Sequence, residues 1–118
     1  MADSQRFADR LEPGTFAEEE PVHVFCPETQ VEAWVPGPLF ERMKDVAHGY
    51  RLHVIPQLAP DALRFLNVSQ AESLADELAF LRQVTNDAAL HEQLASIMSV
   101  AADGIYHASK SAVAFDWP

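Results

Sequence analysis

Two helical repeats with a two-residue break between them constrain this chain more than any other feature. Ala71, Leu74, Ala75, Leu78, Leu81 and Val84 recur at the spacing of one helix face, and so do Leu90, Leu94, Ile97, Met98 and Ala101. Asn86-Asp87 interrupts the pattern and caps the second helix. So short a link predicts an antiparallel pair. Ser69-Gln70-Ala71-Glu72 reads as the capping box that opens the first helix. Each helix leaves one apolar stripe that a second layer must cover.

That layer is expected from residues 22–68. Val22 to Cys26 is rich in β-branched and aromatic residues, Pro27 to Gln30 is a turn, and Val31 to Val35 alternates apolar and polar, which together predict a hairpin. Pro36-Gly37-Pro38 ends it. Leu39, Phe40, Met43, Val46 and Ala47 then share a helix face, with Pro38 in the first turn and His48-Gly49 as the stop. Tyr50 to Ile55 reads as a third strand and Leu63 to Val68 as a fourth. Phe115-Asp116-Trp117 reads as a short aromatic tail. The expected architecture is α+β: a small antiparallel sheet of about four strands covered by three helices, in the order β-β-α-β-β-α-α. Its expected core comprises Val22, Val24, Val35, Phe40, Met43, Leu52, Val54, Leu66, Leu74, Leu78, Leu81, Leu90, Leu94, Ile97 and Met98.

The chain of 118 residues is the size of one domain, and 48% hydrophobic residues suit a globular one. Residues 1–20 read as an acidic, partly disordered tail in which Phe7, Leu11 and Phe16 are docking candidates, and 21–118 as a single α+β domain. Eighteen acids against eight bases give a net charge of −10. Such a balance argues against nucleic acid, which demands a basic surface. No apolar run is long enough to span a membrane and no signal peptide opens the chain. One cysteine, Cys26, leaves no intrachain disulfide, so the expected location is a reducing cytoplasm.

Chemistry-bearing patterns are few. Tyr106-His107-Ala108-Ser109-Lys110-Ser111-Ala112-Val113 resembles the Tyr-x-x-x-Lys segment of short-chain dehydrogenases. The resemblance implies a tyrosine acid and a lysine that lowers its pKa on one helix face. The remainder of the chain opposes it. Gly14, Gly37, Gly49 and Gly104 build no nucleotide-binding turn, and the upstream length cannot hold the doubly wound sheet. His23, Cys26 and His53 are candidates for a metal or nucleophile site. Residues 23 and 26, three apart on a strand, point to opposite faces, which suits a zinc site poorly; Cys26 before Pro27 at a strand end is placed for a nucleophile, but no oxyanion-hole or elbow signature accompanies it. No phosphate loop or metal box appears, and no cofactor or metal is expected.

Three classes of function remain. The charge favours a small acidic protein-binding module, as in immunity-type inhibitors that occupy a basic surface of a bacterial toxin or enzyme. Glu72, Asp76 and Glu77, on a helix where Arg82 is the only base, are its expected contact residues, with Trp34 as an aromatic anchor. The alternatives are a ligand-binding or catalytic domain using Cys26, His23 or His53, and a homodimeric assembly subunit. The sequence favours binding over catalysis.

Overall fold

A computed structural model describes residues 21–59 and 62–117. The expected docking candidates Phe7, Leu11 and Phe16 lie outside these residues. Strands β1 (Val22–Phe25) and β2 (Glu32–Val35) form the expected hairpin, with Val22 opposite Val35 and Phe25 opposite Glu32. Its loop is closed by the Cys26 amide on the Val31 carbonyl (2.9 Å) and the Gln30 amide on the Cys26 carbonyl (2.8 Å). Gln30 takes the left-handed conformation there, with φ of 66°.

Helix α1 (Gly37–Gly49) follows without a side-chain cap; the Pro36 carbonyl receives the Leu39 and Phe40 amides instead. Strand β3 (Ala62–Asn67) runs directly into helix α2 (Val68–Val84). Helix α3 (Ala88–His107) starts at Asp87, whose carboxylate accepts from the Leu90 amide. Strand β4 (Ser111–Trp117) closes the chain. The sheet order is β2-β1-β4-β3, with every neighbouring pair antiparallel. Four strands and three helices give the expected α+β class, in the order β-β-α-β-α-α-β.

Three local expectations are corrected. Tyr50 to Ile55 is not a strand. Arg51 turns left-handed (φ 59°), and the Leu52 amide bonds back to the Ala47 carbonyl. The amides of His53, Val54 and Ile55 then all donate to the Glu77 carboxylate, at 2.8, 2.8 and 3.0 Å. Groups that a neighbouring strand would have satisfied are taken by one side chain, and a 3₁₀ turn follows at Ile55–Gln57. The missing strand is supplied by the expected aromatic tail, which becomes central strand β4. The capping box sits two residues earlier than expected. Asn67 accepts from the Gln70 amide (2.8 Å) while the Gln70 side chain accepts from the Asn67 amide (2.9 Å), because β3 delivers Asn67 in extended conformation to the helix start.

All three helices cover the same face of the sheet. Val22, Val24, Val35, Leu66, Val113 and Phe115 meet Phe40, Met43, Leu74, Leu78, Leu94 and Ile97 in one buried cluster. The Phe40 ring packs edge-on against Trp117, with centroids 4.8 Å apart. Leu52, Val54 and Met98, expected in the core, border it and are only partly buried.

Candidate functional site

No described helix covers the other face of the sheet, and the strand register arranges its side chains in two rows. Trp34, His23, Asp116 and Leu63 lie in register across the four strands, and Glu32, Phe25, Ala114 and Phe65 form the adjacent row. Alternation along each strand sends these eight away from the core residues beside them. A half-buried antiparallel sheet facing water carries polar side chains on this side. Here Trp34 is 55% exposed, Leu63 53% and Phe65 50%. The rows contain two carboxylates and no Lys or Arg.

Half of the face is held in a stack. The His23 ring lies nearly parallel to Trp34, with centroids 4.0 Å apart and 6° between planes, and also stacks on Phe25 at 4.6 Å. Its Nε2 reaches Glu32 Oε1 at 2.7 Å. This fixes the Glu32 carboxylate, which remains 54% exposed. Ala114 is fully buried although it lies outside the main core cluster, because Phe25 and Phe65 flank it on this face. A depression of about 510 Å³ opens here, lined by Phe25, Phe65, His23, Glu32, Gln30, Pro27 and Cys26.

The residues singled out in the sequence do not converge. Trp34 belongs to the open face. Glu72 and Asp76 are exposed on α2, in the opposite layer. Glu77 is buried, and its oxygens are occupied by the three amides described above. The signal for that was present: 74, 77, 78 and 81 share the apolar stripe of α2, so Glu77 interrupts a buried face. Cys26 is buried, and its Sγ lies 3.9 Å from the Ser111 carbonyl oxygen. His23 and Cys26 both line the depression, but His53 lies in the loop beside α2, so the three do not form one centre. Among the described residues, no group of three or more His, Cys, Asp or Glu side chains is placed to hold a metal. Tyr106 is 80% exposed in the last turn of α3, and the helix ends at His107. Lys110 lies beyond that end, its amide bonded to Glu28 (2.8 Å), so the Tyr-x-x-x-Lys segment has no shared helix face.

What sequence reasoning missed is the face as a whole. The β1–β2 hairpin already sets His23, Phe25 and Glu32 beside Trp34, but Asp116, Leu63 and Phe65 join them only through the β1–β4 and β4–β3 pairings. No described helix is long and apolar enough to cross a membrane. Comparison with protein-family models, with curated proteins and with solved structures finds no match.

Proposed function

We propose that this protein is a protein-binding module that takes its partner on the open face of the sheet and favours a basic one. The observation that supports this best is the exposure of Trp34, Leu63 and Phe65 together on one face of a four-stranded sheet. Trp34, half exposed and already stacked on His23, supplies large contact area at small entropic cost on binding, and Leu63 and Phe65 extend the apolar surface. Glu32 and Asp116 within the rows, and the net charge of −10, select a cationic surface and speed encounter with it. An inhibitor that occupies the basic site of a toxin or enzyme is one such module. The exposed acids Glu72 and Asp76 on the helical layer add to the long-range field, and their role is encounter rather than contact.

The test is affinity capture of the tagged protein and its variants from the native lysate at low and high salt. A stoichiometric basic partner is expected, lost with Trp34→Ala combined with Phe65→Ser, and retained with Glu72→Lys combined with Asp76→Lys. Retention by the face variant and loss by the helix variant would place the interface on α2 and sink the assignment.

A further inference from the structure

We infer that the depression beside Glu32 is a receptor for an arginine side chain of the basic partner, with the guanidinium over the Phe25 and Phe65 rings and paired to the Glu32 carboxylate. The inference rests on the open face being the interface and names the chemistry recognised there.

Four features of the depression select a planar cation. Its walls include two phenyl rings, whose faces attract positive charge. Its rim carries a carboxylate with one oxygen held by His23 at 2.7 Å, while no described residue hydrogen-bonds the other oxygen. The Trp34–His23–Phe25 stack fixes that histidine, so the carboxylate is oriented before a ligand arrives. The two rows supply no resident Lys or Arg to compete. Arginine meets this set better than lysine does. Its flat guanidinium stacks on aromatic faces and donates several N–H groups at once, whereas an ammonium is a compact and strongly hydrated point charge. A volume of about 510 Å³ exceeds what one guanidinium needs and leaves room for its aliphatic stem along Phe65 and Pro27. A second copy of this chain is a poor occupant. It would bring its own Glu32 and Asp116 against these, with ten negative charges on each copy.

The test uses the full chain and three capped tripeptides, acetyl-Gly-X-Gly-amide with X as arginine, lysine or citrulline, titrated while backbone amide resonances are followed. The expected result is saturable shifts at Phe25, Glu32 and Phe65 with the arginine peptide. The citrulline peptide, equal in shape but uncharged, should bind about tenfold more weakly, and the lysine peptide should fall between them. Glu32→Gln should weaken the arginine peptide about tenfold, and Phe65→Ser several-fold, with the dispersion of the other resonances unchanged. His23→Gln tests positioning: it should lower affinity for arginine while leaving the weak citrulline binding unaltered.

Equal binding of arginine and citrulline would overturn the inference. So would shifts spread evenly over Glu72, Asp76 and the other surface acids, or a dimer at physiological salt that Phe65→Ser dissolves. If the peptides miss the depression while the face variants still lose the partner, the arginine assignment fails and the interface stands. If the face variants keep the partner, the interface itself fails.

Discussion

The three amides that meet the Glu77 carboxylate belong to consecutive residues, so one side chain fixes the path of the whole 53–55 segment. Tyr50, Leu52, Val54 and Ile55 have the composition of a strand, and propensity alone predicts one. It loses because a buried carboxylate offers those amides charged acceptors, each worth more than a neutral ladder bond. Glu77→Ala would leave the buried Ile55 amide and the part-buried His53 and Val54 amides without their partner, and a loss of about 3 kcal/mol in unfolding free energy is expected. Urea denaturation measures it, and a change below about 1 kcal/mol would show that water replaces the carboxylate. A second residue decides a contact between layers. A Cβ at Gly104 would lie 1.8 Å from the Ala112 backbone oxygen, so α3 and β4 approach as closely as they do only because that position has no side chain. Alanine improves helix propensity by about 1 kcal/mol. The clash is with backbone, which cannot rotate away, and overpacking of this kind costs about 1–3 kcal/mol or more. Gly104→Ala is therefore expected to lower the melting temperature, and an unchanged or raised value would contradict the close approach.

Helices α2 and α3 were legible in the sequence because their apolar periods run for more than about three turns and sit on either side of a capped break. Three strands were legible, at 22–25, 32–35 and, shifted by one residue, at 62–67, where β-branched or aromatic residues or alternation mark them. Strand β4 reads poorly for a physical reason. Val113 and Phe115 enter the core on the helix side, while the small Ala114 is buried between Phe25 and Phe65 on the other, so Ala112, Val113, Ala114 and Phe115 form a continuous apolar run without alternation. Its start is anchored by Glu28 from the β1–β2 loop. The Ser109 amide and hydroxyl donate to one carboxylate oxygen (3.0 and 3.1 Å), and the Lys110 and Ser111 amides to the other (2.8 and 3.0 Å). These bonds, led by the Ser109 amide, hold the carboxyl at about 2, against an ordinary 4.5. A carboxyl depressed in the folded state stabilises it fully above the unfolded value, and the contribution disappears as pH falls from about 4.5 towards 2. The difference in urea midpoint between the native chain and Glu28→Gln should therefore be present at pH 7 and shrink through that window. Amide exchange at Lys110 and Ser111 should quicken in the variant at neutral pH. A gap between the two proteins that is constant down to pH 2 would show that the anchor is not electrostatic.

At the scale of the whole molecule, two surfaces of opposite character lie on opposite layers. The helical layer is solvated and acidic at Glu72 and Asp76; the bare sheet face is aromatic. Composition revealed the first, since charge counts need no fold. The second required the β2-β1-β4-β3 order, which places β4 between β1 and β3 and so assembles one face from a hairpin and two segments distant from it in sequence. An exposed apolar face on a small domain would ordinarily drive self-association. Ten net negative charges per chain, with Glu32 and Asp116 inside the face, oppose it. Which effect wins depends on screening. At about 0.1 M salt the Debye length is ~10 Å and repulsion between two such faces survives; at about 1 M it falls to ~3 Å and the apolar term prevails. Sedimentation velocity should therefore show a particle of 13.1 kDa at low and physiological salt. It should show reversible association at about 1 M. Phe65→Ser should remove that association while Glu72→Lys leaves it. Association already complete at low salt would mean that the charge on this face does not govern its occupancy, and that the partner it selects is another copy of itself.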